Sequence, residues 1–307
     1  MHLALVGPTA SGKSGLALEL ARRRRGRFEL VSADSMQVYR GMDIGTAKPS
    51  ASERAEVPHH LVDIADPSEE FSVARFQREA RAAIAGIERG GRRALLVGGT
   101  GLYVRAVVDD LAIPGRWPDI RKALEEEAAA EGSVALHARL SALDPVAAGR
   151  MEPSNTRRVV RALEVTLGSG RPFSSFGPGL DVHASPNRFQ LVGISVAPAL
   201  LPERIESRFR QHLADGFLDE VRRLANHPAG LSRTARQALG YRELLAHLAG
   251  ELTLDDAVEL AVRRTRQFAR RQRAWFRRDP RIRWLDARDD PAAVLEPLLE
   301  IVDEQAD

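Results

Sequence analysis

Short unbroken apolar runs alternate along the chain with longer stretches in which apolar residues recur every three or four positions. Residues 3–6 (Leu-Ala-Leu-Val) form a run that stops at Gly7, the pattern of a strand buried on both faces. Residues 12–25 follow with helical spacing carried by Leu16 and Leu20. A second strand is predicted over 28–33, ending at Asp34, and a helix over 72–89 with Ser72 as its N-cap. A third strand over 94–97 is stopped by Gly98 and Gly99. Strand–helix alternation of this kind predicts a parallel sheet covered by helices.

The pattern changes at Pro114-Gly115-Arg116-Trp117-Pro118. Beyond it only helical periodicity appears, over 120–130, 134–143 and 156–167, followed by a stretch rich in Gly, Pro and Ser over 168–186. An apolar strand returns at 189–196, then helices over 201–213, 217–224, 242–248 and 253–277, and a last strand at 282–285. The expected organisation is an α/β core formed by residues 1–114 and 187–307, interrupted by an all-helical insertion over 115–186.

Composition narrows the class. The 307 residues are 44% hydrophobic and 28% charged, the balance of a soluble globular protein. No run of about 18 apolar residues is present, so no membrane helix is expected. The N-terminus has no basic region and reaches Gly7 too soon for a signal peptide, so the expected location is the cytoplasm. The chain has no cysteine, which excludes disulfides, zinc–cysteine sites, iron–sulfur clusters and thiol catalysis together. The net charge is only +3, but it is unevenly spread. Residues 261–283 hold ten arginines and one acid, whereas 286–307 hold eight acids and one arginine. A compact basic segment beside an acidic tail points to a polyanionic partner.

Gly7-Pro8-Thr9-Ala10-Ser11-Gly12-Lys13-Ser14 fits G-x-x-x-x-G-K-[ST], with a strand before it and a helix opening inside it. Backbone N–H groups of such a loop converge on phosphate oxygens, and the helix N-terminus adds favourable potential for an anion. Lys13, one of only three lysines, would reach the terminal phosphate, and the Ser14 hydroxyl would be the metal ligand, to Mg²⁺. An NTPase ordinarily also has an apolar strand ending in Asp for the metal. Here the third strand ends in Gly98-Gly99-Thr100, and the only strand-end acid nearby is Asp34. The phosphate loop thus predicts a P-loop NTPase-like fold with incomplete ATPase equipment.

Further segments carry a resemblance. They are Ser32-Ala33-Asp34-Ser35-Met36-Gln37-Val38-Tyr39, the run Gly41-Met42-Asp43-Ile44-Gly45-Thr46-Ala47-Lys48-Pro49, then Pro58-His59-His60-Leu61-Val62-Asp63 and Gly98-Gly99-Thr100-Gly101-Leu102-Tyr103. Arg157 to Glu164, Gly240-Tyr241-Arg242-Glu243, and Thr265-Arg266-Gln267 through Trp275-Phe276 continue it, so it spans nearly the whole chain in order. In these segments the sequence resembles the bacterial tRNA dimethylallyltransferases.

That resemblance implies transfer of a dimethylallyl group from dimethylallyl diphosphate to N6 of the adenosine immediately 3′ of the anticodon, in tRNAs reading codons that start with U. The phosphate loop, Gly7 to Ser14, would hold the prenyl diphosphate rather than ATP, which would account for the missing acid on the third strand. Displacement from an allylic carbon by a weakly nucleophilic amine calls for a base, and Asp34 sits at a strand's carboxyl end, where open α/β sheets place ligands. Thr100 and, by resemblance, Arg208 complete the catalytic set on the departing diphosphate.

For tRNA, Asp34, Ser35, Met36 and Gln37 would meet a flipped-out adenine or its neighbours. Arg121, Arg157, Arg158, Val159, Val160 and Arg161 would form the contact in the insertion, and Arg236, Gln237, Gly240 and Tyr241 a further one, with tyrosine available to stack. The helix over 253–277, with Arg263, Arg264, Arg266, Arg270, Arg271 and Arg273, reads as a rail for backbone phosphates. Trp275 and Phe276 read as core anchors, and His59-His60 as loop-positioning rather than metal-binding. A monomer is expected. Three other readings compete: prenylation of free AMP or ATP, a P-loop nucleotide kinase, and a non-catalytic RNA-binding protein with a nucleotide switch.

Overall fold

In the computed structural model, residues 1–177, 182–183, 188–288 and 290–304 are described. The chain divides into two compact units, Met1–Asp109 with Ser185–Asp307, and Asp110–Ala184. The bounds expected for the insertion, 115–186, differ from these by a few residues at either end.

The first unit begins with β1 (His2–Val6), α1 (Lys13–Arg23), β2 (Phe28–Ser32), α2 (Ala51–Glu56), β3 (His59–His60), α3 (Val73–Arg89), β4 (Arg93–Gly98) and α4 (Gly101–Val108). The second unit holds α5 (Pro118–Glu131), α6 (Ser133–Leu143), α7 (Pro145–Ala148) and α8 (Thr156–Ser169). The first then resumes with β5 (Phe189–Ser195), α9 (Leu201–Ala214), α10 (Phe217–Ala225), α11 (Arg233–Arg236), α12 (Tyr241–Leu248), α13 (Leu254–Phe276), β6 (Arg283–Asp286) and α14 (Leu295–Asp303).

All strand pairs are parallel, in the order β3-β2-β4-β1-β5-β6. Every residue of β1 and β2 is buried, as expected for a sheet covered on both faces by helices. The order has a direct consequence for function. β4 lies between β1 and β2, so the loops leaving the carboxyl ends of these three strands are neighbours although far apart in sequence. They are the phosphate loop, the segment from Ala33 to Gln37, and Gly99 to Gly101. Gly98 ends β4 where a Cβ would lie 2.4 Å from the Ala33 carbonyl, so only glycine lets the two loops run this close.

No hydrophobic period marks a strand at 59–60; β3 is a two-residue edge strand, too short to leave one. His60 Nε2 is bonded to Glu29, and His59 Nδ1 lies 2.7 Å from the Val57 carbonyl, so both rings have protein partners. Phe276 is buried and Trp275 packs against the same core, with its indole against Gly101.

The second unit has its own core of Leu124, Leu136, Leu140, Met151, Val159, Val160 and Leu163. Glu164 is one of its buried acids. It accepts the Trp117 N–H at 2.9 Å and pairs with Arg121 at 3.4 Å and Arg161 at 2.9 Å.

Candidate active site

The phosphate loop owes its shape to two left-handed residues, Ala10 (φ 62) and Gly12 (φ 81), the latter serving as N-cap of α1. Ser11 is fully buried and its hydroxyl has no hydrogen-bond partner among the described residues. Lys13 Nζ donates to the Pro8 carbonyl at 3.2 Å, folding the side chain over the loop. Burial lowers the Lys13 pKa to about 8; Asp34 opposes this and Arg208 adds to it. Arg208, on α9, is likewise lowered by burial, with Asp34 pulling the other way. Lys13, Asp34 and Arg208 therefore share one electrostatic field.

A cavity of about 350 Å³ opens beside them. Thr9, Ala10, Asp34, Ser35, Met36 and Thr100 line it from the strand ends, and Arg208, His212, Gln237, Tyr241 and Arg271 from the C-terminal helices. Ile205, Phe209, Phe217 and Phe268 give it apolar walls. Asp34 Oδ1 accepts the Met36 N–H at 2.8 Å, an Asx turn that holds the carboxylate at the cavity edge. Thr100 is the N-cap residue of α4 but makes no side-chain cap, so its hydroxyl remains available. The structure thus brings Asp34, Thr100 and Arg208 to one chamber with the phosphate loop.

Several expected RNA contacts are placed differently. The Gln37 amide is engaged within the protein. Its Oε1 accepts the Ser32 hydroxyl at 2.8 Å, and its Nε2 donates to the Thr46 and Ala47 carbonyls at 3.2 Å each. Tyr241 is 1% exposed and donates its hydroxyl to Glu220 at 2.6 Å, so its ring is cavity wall and core rather than an open stacking platform. Gly240 is buried with φ 85 in a niche closed by Phe217 and Phe209. Val159 and Val160 lie inside the core of the second unit, where the helical period turns them inward. Arg121 and Arg161 are committed to Glu164, and Arg161 also donates to the Pro114 and Gly115 carbonyls. Arg157 and Arg158 are exposed, and neither guanidinium pairs with an acid among the described residues. Arg236 and Gln237 are exposed.

On α13 the arginines divide. Arg264 pairs with Glu243, and Arg266 with Glu206 at 2.9 Å. Arg263, Arg270 and Arg271 are exposed, and none of them is paired with an acid among the described residues.

No sequence motif points to Glu220, His212 or Gln272. Glu220 accepts the N–H groups of Asp43 (2.9 Å), Ile44 (2.8 Å) and Gly45 (3.2 Å) besides the Tyr241 hydroxyl. Spacing was a usable signal, since Phe217, Glu220, Val221 and Leu224 share one buried helix face. His212 lies four residues after Arg208, and its Nε2 accepts from Arg208 Nε at 3.4 Å. Burial first, then the Arg208 charge, lower the His212 pKa to about 4, so the imidazole is neutral at ordinary pH and serves as an acceptor.

The family model described as IPP transferase matches residues 37–279. The chain belongs to the IPP transferase family. A protein of Geobacter metallireducens named tRNA dimethylallyltransferase is 54% identical over 283 residues, covering 91% of this chain and 90% of its own length. One of the same name from Streptomyces coelicolor is 53% identical over 283 residues, 92% of this chain and 89% of that protein. The crystal structure of a tRNA isopentenylpyrophosphate transferase from Bacillus halodurans superposes with a TM-score of 0.71 at 40% identity, covering 98% of this chain and 95% of that one. A eukaryotic dimethylallyltransferase caught acting on tRNA gives a TM-score of 0.76 at 28% identity, over 94% of this chain and 74% of that one. Among the described residues no helix is long and apolar enough to cross a membrane.

Proposed function

We propose that this protein transfers a dimethylallyl group from dimethylallyl diphosphate to tRNA, at N6 of the adenosine 3′ to the anticodon in tRNAs reading codons that begin with U. The observation that carries this reading is the convergence of a phosphate loop, Asp34, Thr100 and Arg208 on one cavity with apolar walls, in a member of this family. The cavity offers an anion cradle at one side and apolar surface beside it, which suits a short prenyl chain on a diphosphate.

In the reaction the N6–C1 bond forms as the C1–O bond breaks, and the bonding pair leaves with the diphosphate. The adenine amine has its lone pair delocalised into the ring, so nucleophilicity develops only as its proton departs. Asp34 accepts that proton. Lys13, Arg208 and the free loop amides stabilise the charge gathering on the leaving oxygens, with the Thr100 hydroxyl as an additional donor. Neutral His212 accepts from Arg208 and fixes the plane of its guanidinium.

The donor set also fits Mg²⁺, which prefers oxygen ligands and commonly keeps waters and substrate phosphates in its shell. Ser14 lies in the first turn of α1 and is exposed, and its hydroxyl is an oxygen donor of the kind Mg²⁺ takes. Ser14 would hold the ion, which when bound supplies charge neutralisation of the diphosphate. We further propose that the protein works as a monomer in the cytoplasm.

The test offers labelled dimethylallyl diphosphate with Mg²⁺ to unmodified tRNA, to AMP, and to no acceptor. Label in tRNA alone is expected. Label in AMP would replace the acceptor in this reading. Absence of any label, with ATP consumed in a parallel reaction, would replace the chemistry with that of a kinase.

A further inference from the structure

Gln272 is a buried polar side chain that the mechanism above does not use. It lies on α13, is 7% exposed, and reaches into the strand-end loops. Its Oε1 accepts the Thr9 N–H at 2.8 Å and its Nε2 donates to the Gly99 carbonyl at 2.9 Å. One bond ends in the phosphate loop after β1, the other in the loop after β4. A carboxamide is suited to this task because it holds an acceptor and donors in one rigid plane.

We propose that Gln272 is a positioning residue for the donor diphosphate, an inference that rests on the function proposed above. It locks the two loops that flank the diphosphate into one frame. Thr9 spends its N–H on Gln272, so this amide is not among those presented to the anion, although Thr9 belongs to the phosphate-loop motif. What the bond secures is the next residue. Ala10 has φ 62, a left-handed conformation that is unfavourable for a non-glycine residue and must be imposed by its surroundings. The opposite loop is shaped to admit the carboxamide. A Cβ on Gly99 would lie 2.3 Å from Gln272 Nε2 and 3.1 Å from the Gly7 carbonyl, so glycine alone permits this approach.

The experiment compares the full-length protein with Gln272→Met, which keeps the volume and removes both hydrogen bonds. Gly99→Ala displaces the same carboxamide from the other side. Binding of inorganic diphosphate is measured directly by calorimetry, and KM is measured for donor and for tRNA separately. Each substitution should weaken diphosphate binding about tenfold and raise the donor KM by a similar factor, with tRNA KM unchanged. Diphosphate bound as tightly as by the wild type would overturn the proposal. Equal losses of donor and tRNA affinity would also overturn it, because they would assign Gln272 to the general packing of α13. If Gln272→Met does not fold, Gly99→Ala decides between these outcomes alone. A wild-type protein that binds diphosphate yet transfers no prenyl group would remove the proposed function while leaving the Gln272 measurement readable.

Discussion

For single residues, charge is the quantity to test. Lys13 is a half-buried cation whose pKa is lowered to about 8, chiefly by loss of hydration. Below that value the ammonium is charged and can meet a diphosphate; as pH rises through it, the free protein loses the charge. Affinity for inorganic diphosphate, taken relative to Lys13→Met at each pH so that the ligand's own ionisation cancels, should therefore fall by up to about tenfold between pH 7 and pH 9. A flat profile over that range would mean that Lys13 does not contribute its charge to the anion. Asp34→Asn keeps the size and the Asx turn but cannot take a proton. It should lower kcat by about two to four orders of magnitude, with donor affinity changed no more than a few-fold. Near-normal kcat would take Asp34 out of proton transfer. Motif chemistry singles out these two residues in the chain: Lys13 completes the phosphate-loop pattern at the start of α1, and Asp34 follows the end of β2. His212 and Gln272 were not readable, since neither belongs to a motif whose chemistry requires it. His212 acts through a side chain one helical turn away. Gln272 acts through loops 263 and 173 residues distant.

Among the elements, two loops depend on a buried acid each. The turn from Asp43 to Gly45 hangs on Glu220, and its following residues hold the Gln37 amide. Glu220→Ala would orphan several donors at once, at a cost of about 3 kcal/mol or more. It should lower the Tm and weaken turnover together; an unchanged Tm would contradict the role given to this carboxylate. In the second unit Asp144 caps α7 through the Ala147 N–H at 3.0 Å and also accepts the Ser174 N–H at 2.8 Å. Burial pushes the Asp144 carboxyl up, but the Ser174 and Ala147 N–H groups outweigh it, and the net shift is downward. Its contribution to stability is present above the ordinary carboxylate value and is lost as pH falls through the depressed one. Asp144→Ala should remove about 1–2 kcal/mol near neutral pH and less in acid. Thermal melts of the two proteins at pH 7 and pH 3 check this, and a gap that widens in acid would sink it. The long helices were legible because their apolar spacing repeats over several turns. β3 and α7, with two and four residues, are too short to carry any period.

Across the whole molecule, the question is which arginines meet an RNA backbone. The chain holds many, and composition alone gives no way to choose among them. Ion pairing does, since Arg121, Arg161, Arg264 and Arg266 are engaged by acids while Arg157, Arg158, Arg263 and Arg270 are exposed without one among the described residues. Neutralising Arg157 and Arg158 to Gln should weaken tRNA binding and make the dependence of log affinity on log salt shallower, by up to about one unit for each phosphate left without its arginine. The same change at Arg121 and Arg161 should chiefly lower stability, because it leaves Glu164 buried and unpaired. A salt slope identical to that of the wild type in the first variant would place those arginines away from the RNA.

The parallel α/β class, the phosphate loop, the interruption by a helical segment and the membership of a transferase family were all legible in the chain alone. These depend on local periodicity and on motifs whose residues lie close together, so they survive without knowledge of contacts. Which polar side chains are spent on holding the protein together was decided by tertiary packing. Tyr241, Gln37, Val159 and Val160 turned from expected RNA contacts into wall, staple and core, while Glu220 and Gln272 emerged as supports. The physical reason is the order of the strands. With β4 inserted between β1 and β2, distant loops become neighbours, and a hydrogen bond between them leaves no trace in either segment's own pattern.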